Sequence, residues 1–428
     1  MRHRQLALPV LLTLAGAAGA AAPLVSEALL SDKDHSKLGK TVAEYWEAQQ
    51  EERGINEAYD EVRSAFDKLD KKVSKKLDGD SFLKSVEDWE SVFYHANQYS
   101  DKGTKKGKVE NRVYEDERFG EYRIAIHTPK KYSSKNGPFP LVVCIPPKGK
   151  KGSDHLMEDW VEAGPRDTHL MAACDMPTNM DQWNKIGTPD LHGGIDTVLL
   201  TLKSVKDSHA VDVDRIYLTG FGEGVATASE IASLYPHVFA GVIGRAGDLG
   251  DVSPANFRNL PTMFAGGGEK CSAFQAAAKE AGAENVMVEA SATEADIWAW
   301  LGEVQRAANP AEITLTPRDL ANRQAYWLNV EGFELENEPT IHARVDTESN
   351  TIHIESTGIS TATIYFNDEI LDLSRPVKVV CNGSENEDFI PRNLKAMLDI
   401  AFRSGDSGRV YVNTHTYDLP AVGDGEGE

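Results

Sequence analysis

The sequence predicts a mixed α/β protein in which a doubly wound, mostly parallel sheet forms the central domain, preceded by a helical region and followed by a β-rich domain. Three observations support this fold class. Strand-like and helix-like segments alternate between residues 113 and 309, as in parallel sheets with helices on both faces. Before residue 100 an apolar stripe recurs at helical spacing, and after residue 310 Thr-rich segments alternate apolar and polar positions.

The first twenty residues have the layout of a secretory signal peptide. A basic start at residues 1–4 precedes the apolar residues 6–14 and the small residues Ala18-Gly19-Ala20. We expect cleavage after Ala20, because cleavage after Ala22 would leave Pro23 as the first mature residue. The apolar stretch is short for a bilayer, so we expect a secreted or periplasmic protein with no transmembrane segment after cleavage; an uncleaved anchor is the alternative.

Residues 21–100 are predicted to be helical. One set of apolar positions recurs at alternating steps of three and four: Tyr59, Val62, Phe66, Leu69 and Val73. A second apolar series follows Ser81, a residue type that caps helices. We expect a helical hairpin packed on the main domain or on a partner, followed by a polar linker over residues 101–112.

The central domain, residues 113–309, contains segments with the continuous apolar runs of strands that are covered on both faces. Helical segments such as 194–208 and 225–235 separate them. The predicted strands are residues 122–127, 141–145, 216–219, 239–243, 262–265 and 286–289. Residues 310–420 are expected to form the β-rich C-terminal domain with one helix near 391–402, and the polar tail 421–428 to be disordered.

Charge and cysteine content exclude several function classes. Lys plus Arg number 45 and Asp plus Glu 67, which gives 45 − 67 = −22 and disfavours nucleic acid as a partner. The cysteines, Cys144, Cys174, Cys271 and Cys381, are too scattered for a disulfide scaffold or a zinc motif. Cys144 and Cys174 each end a predicted strand and are expected to be buried. We expect no metal and no cofactor.

The strongest motif is the run Gly220-Phe221-Gly222-Glu223-Gly224, which follows the apolar strand at 216–219. In the elbow G-x-S-x-G a tight strand-to-helix turn presents a nucleophilic serine hydroxyl. Gly222 occupies the position of that serine and has no side chain with which to attack a carbonyl.

The region from 113 to 301 resembles the secreted α/β-hydrolases of the polyhydroxybutyrate-depolymerase, feruloyl-esterase and prolyl-oligopeptidase-like group. The resemblance is carried, in the family's order, by residues 122–124, 138–143, 213–220, 235–236 and 239–243. It implies the α/β-hydrolase fold and, for the family, acyl hydrolysis by a Ser-His-Asp triad.

Matched position by position, the resemblance places Cys271 where the family has its acid and Ala295 where it has its base. The oxyanion loop corresponds to residues 145–149, and no histidine lies between His237 and His342. Because loss of any triad member costs orders of magnitude in rate, we expect no catalytic residue at Gly222, Cys271 or Ala295. A nucleophilic Cys271 is an alternative that needs a basic partner.

The candidates for ligand binding lie on loops that follow the predicted strands, where doubly wound sheets bind ligands. They are Glu223, Arg245, Asp248, Glu269, Glu294, Asp296 and Trp298. Carboxylates at this edge could hold calcium, bind a cationic or sugar ligand, or act as an acid/base pair in glycosidic chemistry. Solvated loop carboxylates are the alternative, since the spacing matches no compact metal motif.

These observations lead us to expect an exported α/β-hydrolase-fold protein without a Ser-His-Asp triad, acting as a non-catalytic binding or scaffolding pseudoenzyme. Its ligand or protein partner is unknown, with carbohydrate and peptide as the classes considered. The alternative is a hydrolase of esters, peptides or polysaccharides that uses Glu223, Glu269, Glu294 and Asp296. A third possibility is a structural surface protein whose flanking domains mediate assembly.

Overall fold

The computed structural model describes residues 28–77, 79–118, 120–188, 191–320 and 323–421. The predicted signal peptide and most of the predicted acidic tail lie outside these ranges. Within them, no helix combines the length and the apolar character needed to cross a bilayer.

Three helices form the N-terminal region: α1 (Asp32–Gln50), α2 (Ile55–Val73) and α3 (Val86–Ala96). The Ser31 side chain caps α1 by accepting a hydrogen bond from the Asp34 N–H. Phe66, Phe82 and Trp89 stack with one another at ring-centroid distances of 4.9 to 6.2 Å. The predicted apolar stripe of α2 therefore faces α3 and the turn that precedes it.

An eight-stranded sheet forms the central domain, with the strand order β1-β2-β4-β3-β5-β6-β7-β8. The strands are β1 (Val109–Asp116), β2 (Gly120–His127), β3 (Phe139–Ile145), β4 (Leu170–Cys174), β5 (Val211–Phe221), β6 (Gly241–Arg245), β7 (Thr262–Ala265) and β8 (Val286–Glu289). β2 pairs antiparallel with β1 and β4, and the remaining pairs are parallel. The predicted fold class, a mixed α/β structure with a mostly parallel sheet, is confirmed.

Helices cover both faces of this sheet. They are α4 (Gly152–Glu158), α5 (Ala163–Arg166), α6 (Gly194–Ser208), α7 (Gly224–Leu234), α8 (Glu269–Glu280) and α9 (Glu294–Leu301). Along β3, Leu141 and Val143 belong to one hydrophobic core, while Val142 and Cys144 belong to another. Because successive strand residues point to opposite faces, the continuous apolar run supplies both cores.

The edge strand β1 begins at Val109, inside the segment 101–112 for which the sequence predicts a linker. Its residues alternate between half-buried and exposed positions and include several charges. An edge strand is held by backbone pairing on one side only and needs no apolar run, which is why hydropathy does not reveal it.

The C-terminal domain consists of two sheets and one helix. Their strand orders are β10-β11-β14-β17 and β16-β15-β13-β12-β9. The elements are β9 (Glu312–Leu315), β10 (Gln324–Ala325), β11 (Leu328–Phe333), β12 (Thr340–Asp346), β13 (Thr351–Thr357), β14 (Ile359–Phe366), β15 (Val377–Cys381), β16 (Ser384–Asp388), α10 (Leu394–Ser404) and β17 (Asn413–Asp418).

The N-terminal helices share one hydrophobic core with this C-terminal domain. Several hydrogen bonds tie α1 to α10. The Tyr45 hydroxyl and the Gln49 amide donate to Asp399 at 2.6 and 2.8 Å, and the Trp46 indole N–H donates to the Leu398 carbonyl at 3.3 Å. The predicted hairpin therefore packs on the C-terminal domain of its own chain. α3 also contacts the main domain, where the Tyr94 hydroxyl donates to the Ser134 carbonyl at 3.0 Å. The C-terminal surface was not among the expected ones, because amphipathic spacing gives a helix an apolar face without identifying what covers it.

Arg306 joins the central and C-terminal domains. Its guanidinium is buried and donates to Asp214 on β5 at 2.8 and 3.0 Å, to the His237 carbonyl at 3.1 Å, and to both carboxylate oxygens of Asp406. Such a planar fork can satisfy two carboxylates at once. The link fixes the amino-terminal half of β5 against the turn after α10.

Replacing Arg306 by methionine should destabilise the protein by about 3–5 kcal/mol, because the buried Asp406 and the neighbouring Asp214 would lose their counter-charge. The matched change Arg215→Met removes a partly exposed pair with Asp212 and should cost no more than about 1 kcal/mol. Urea unfolding followed by tryptophan fluorescence measures both. Equal losses for the two variants would contradict a structural role for the buried network.

Candidate functional site

The elbow predicted from the glycine motif is present. β5 ends at Phe221 and α7 begins at Gly224, so Gly222 and Glu223 make the whole strand-to-helix turn. Gly222 has φ +56°, in the left-handed region. Its N–H donates to the Arg245 carbonyl at 2.9 Å, and its own carbonyl accepts from the Val225 N–H at 3.2 Å. This is the backbone turn on which hydrolases place a nucleophile.

The glycines around the turn are required for different reasons. A Cβ atom at Gly220 would lie 2.2 Å from the Gly224 carbonyl oxygen, and one at Gly247 would lie 2.0 Å from the Gly222 carbonyl oxygen. A Cβ at Gly222 would meet only the Pro147 side chain, at 3.3 Å. Close backbone packing thus dictates Gly220 and Gly247, whereas at Gly222 the positive φ is the main constraint and there is room for a side chain.

The Glu223 carboxylate occupies the backbone donors beside the turn. In hydrolases of this fold, the N–H after the nucleophile and an N–H of the loop after the third strand hold the oxyanion. Here Pro146 and Pro147 have no N–H, so Lys148 supplies the first donor of that loop. The Lys148 N–H donates to Glu223 Oε2 at 3.2 Å, and hydrogen bonds from the Glu223 N–H and the Lys148 N–H lower the pKa of the Glu223 carboxyl. The Lys148 donor therefore already bonds to a carboxylate of this chain, on a side chain that is exposed to solvent.

A histidine lies close to the elbow, and sequence reasoning missed it. The buried imidazole of His155 on α4 lies 5.9 Å from the Phe221 ring and pairs through Nδ1 with Asp159 at 2.7 Å. The indole N–H of Trp160 donates to His155 Nε2 at 3.3 Å, so this nitrogen is an acceptor and Nδ1 carries the proton. Burial lowers the pKa of His155. The nitrogen that would take a serine proton in a triad is used by an indole.

The sequence spacing of His155, Asp159 and Trp160 could have indicated that they lie together. His155 and Asp159 are four residues apart, so in a helix they lie on one face, and Trp160 follows directly. They precede the strand β4 instead of following β8, where the hydrolase family has its base, and matching by chain position therefore passed over them.

Three of the predicted ligand-binding residues come together around the loop 159–162. The Arg245 guanidinium lies 4.5 Å from the ring centre of Trp160 and donates to the Asp159 carbonyl at 3.0 Å. The Glu294 carboxylate accepts from the Val161 and Glu162 N–H groups at 3.0 and 3.1 Å. Trp298 is buried, packs edge-on against Trp160 at 5.2 Å and donates to Glu294 at 3.0 Å.

The other candidates do not join this cluster. Asp296 forms a capping box with Thr293 at the start of α9, and hydrogen bonds from the Thr293 side chain and backbone lower its pKa. Asp248 and Glu269 are exposed on the loop after β6 and in the first turn of α8. Their exposure matches what solvated loop carboxylates would show. Among the described residues, no group of three or more His, Cys, Asp or Glu side chains could hold a metal ion.

The positions of the family's acid and base hold unreactive groups. Cys271 is fully buried in α8, its Sγ lies 3.7 Å from the Gly247 carbonyl oxygen, and burial raises the pKa of its thiol. A neutral buried thiol is a poor nucleophile. Ala295 is exposed in the first turn of α9.

No protein-family model matches this sequence, and no curated protein matches it. The solved structures with similarity include a thermostable esterase, 20% identical, with a TM-score of 0.39 over 46% of this chain and 64% of the esterase, less than two thirds of that chain. A ferulic acid esterase from the anaerobic fungus Anaeromyces mucronatus is 12% identical, with a TM-score of 0.38 over 49% of this chain and 94% of the esterase. An S-formylglutathione hydrolase from Agrobacterium tumefaciens is 14% identical, with a TM-score of 0.36 over 47% of this chain and 94% of the hydrolase.

The fold is α/β-hydrolase-like. The strand order, with antiparallel β1 and β2 at one edge, and the turn after β5 support this assignment. The chemistry of the turn has to be judged from its own residues, because a shared fold does not establish a shared activity.

The two kinds of glycine should respond differently to a methyl group. Gly220→Ala should destabilise the protein by at least about 3 kcal/mol, because the new Cβ would overlap a backbone carbonyl that cannot move independently. Gly222→Ala should cost only about 1–2 kcal/mol, the strain of a left-handed alanine. Urea unfolding tests the pair, and the reverse order would contradict the described turn.

Proposed function

We propose that this protein is an exported α/β-hydrolase-fold pseudoenzyme that binds or scaffolds and does not hydrolyse acyl bonds. Two observations carry the proposal: Gly222 offers no nucleophile, and the Glu223 carboxylate accepts the N–H of Lys148, the first backbone donor of the loop after β3. Stabilising an oxyanion needs such donors unoccupied and aimed at developing negative charge. A resident carboxylate would repel that charge.

The surroundings of the turn support the same proposal. The imidazole of His155 is held by Asp159 and Trp160, with both ring nitrogens in use inside the protein. Arg245 and Glu294 hydrogen-bond to the loop 159–162, and the Trp298 ring packs on Trp160 of that loop. His155, Arg245 and Glu294 are therefore all hydrogen-bonded to groups of this chain.

The carboxylate-based hydrolase has weaker support. Glu294 accepts three hydrogen bonds and Asp296 caps a helix, so neither is poised for proton transfer to a substrate. Glu223 holds two N–H groups and its pKa is lowered, the opposite of what a general acid requires.

The wild-type protein should hydrolyse 4-nitrophenyl acetate and feruloyl esters no faster than the denatured chain, and a fluorophosphonate probe should leave its intact mass unchanged. Gly222→Ser should also remain inactive, because a new hydroxyl would find no available imidazole and Glu223 would still occupy the donors. Gly222→Ala is the matched control for the strain at this position.

Turnover of about 1 s⁻¹ or more by the wild-type protein, within the ordinary range of enzymes, would overturn the proposal. If such an activity appeared and Glu223→Gln or Glu294→Gln abolished it, the carboxylate-based hydrolase would replace the pseudoenzyme.

Export is part of the proposal and rests on the signal-like N-terminus. Protein recovered from the medium or periplasm of expressing cells should begin at Ala21 by N-terminal sequencing. Recovery of the full-length chain from the cytoplasm alone would contradict export.

A further inference from the structure

A cavity of about 670 Å³ lies where the three parts of the chain meet, far from the elbow. It is bounded by α3, by residues 211–214 at the start of β5, and by Ser407 and Gly408 after α10. The elbow follows the other end of β5, roughly 25 Å away at 3.3 Å per strand residue. The cavity has the volume of a site for a small organic ligand, and such sites are frequent at domain junctions.

One acidic side chain in this cavity has no partner within the described chain. Glu90, on α3, lines the cavity, is partly buried, and makes neither a hydrogen bond nor an ion pair with the described residues. The other carboxylates of the lining are paired: Asp32 with His95 at 3.0 Å, Asp212 with Arg215 at 2.7 Å, and Asp214 with Arg306 at 2.8 Å. Ionising this side chain without a partner costs free energy, so a cation brought by a ligand would favour its charged form.

The electrostatic surroundings of Glu90 are negative. Burial raises its pKa to about 8, and the charges of Asp214, Glu369 and Asp406 add to this effect, while Arg306 opposes it. On its own helix, Tyr94 and the paired His95 face the same cavity, with Tyr99 beyond the end of α3. Lys135 also lines the cavity but is exposed to solvent.

We propose that this cavity binds an organic cation, a primary ammonium or a guanidinium group, which pairs with Glu90 while its carbon chain packs on Tyr94 and Tyr99. The unpaired carboxylate supplies the charge and the two rings supply apolar and cation–π contacts. The volume and the absence of a metal-binding cluster among the described residues favour an organic cation over a metal ion. A free amine and a lysine or arginine side chain of a peptide present the same chemistry.

The site goes beyond the proposed pseudoenzyme role because it uses none of the elbow residues. A ligand held here contacts the N-terminal helices, the central sheet and the C-terminal domain together. Binding would therefore stabilise the junction at which Arg306 also acts.

Binding should release a proton. With a pKa of about 8, Glu90 is roughly nine-tenths protonated at pH 7, and a bound cation favours its ionised form. In the ligand-free protein the raised pKa has a defined sign: Glu90 disfavours the folded state increasingly as pH rises from 4.5 towards 8.

The test is calorimetric titration of the full mature chain at pH 7.0 with cadaverine, using 1,5-pentanediol as the neutral control. We expect saturable binding of cadaverine only. The measured heat should differ between phosphate and Tris buffers in the direction of proton release, since these buffers differ in ionisation enthalpy. Glu90→Gln should weaken binding at least tenfold and abolish the buffer dependence, whereas Glu87→Gln, an exposed glutamate of the same helix, should change neither.

Titration with a peptide distinguishes a free amine from a lysine side chain of a peptide as the bound cation. Stronger binding of acetyl-Gly-Lys-Gly-amide than of cadaverine, with no binding of the Gln-containing analogue, would assign the site to a protein side chain; the reverse order would assign it to a free amine. No binding of either cation at 10 mM, or unaltered binding by Glu90→Gln, would overturn the proposal. The buffer dependence of the wild-type heat tests Glu90 even if Glu90→Gln does not fold.

Discussion

The tight turn between β5 and α7 is the constraint on which the site depends. Its backbone fits between the Gly224 carbonyl, Gly247 and the loop after β3, with distances that leave no room for a Cβ at Gly220 or Gly247. The same turn brings the Glu223 carboxylate within hydrogen-bonding distance of the Lys148 N–H. At the position where hydrolases carry a nucleophile this chain has Gly222, and the neighbouring Glu223 carboxylate accepts a hydrogen bond from the Lys148 N–H.

Residues near the turn also form hydrogen bonds within the chain. His155 and Asp159 have the imidazole–carboxylate pairing of a triad, but Trp160 takes the acceptor nitrogen. Glu294 lies next to the position of the family's base and binds two backbone N–H groups of the neighbouring loop. Groups that would otherwise be available to a substrate stabilise the edge of the sheet. Glu90, the unpaired carboxylate of the cavity lining, lies near the opposite end of β5.

The sequence was sufficient for the parts of the fold that depend on local pattern. Continuous apolar runs located β3, β5 and β7, and the glycine motif located the elbow, because both signals lie within a few residues. It was insufficient where partners are distant in the chain. The packing of α1 on α10 joins residues more than 300 positions apart, as the Tyr45–Asp399 hydrogen bond shows. The hydrogen bonds between Glu294 and the loop 159–162 also join distant parts of the chain. The sequence could therefore predict that the candidate binding residues share one edge of the sheet, but it could not predict their partners.

The central claim is that the Glu223 carboxylate accepts hydrogen bonds from the backbone N–H groups beside the turn. An NMR titration of this carboxyl group tests the claim most directly. The account predicts that the Glu223 side chain titrates below the ordinary glutamate value of 4.5 and that the amide protons of Glu223 and Lys148 shift with the same midpoint. A Glu223 carboxyl that titrates at the ordinary value, with neither amide following it, would show that the donors are open and would contradict the account.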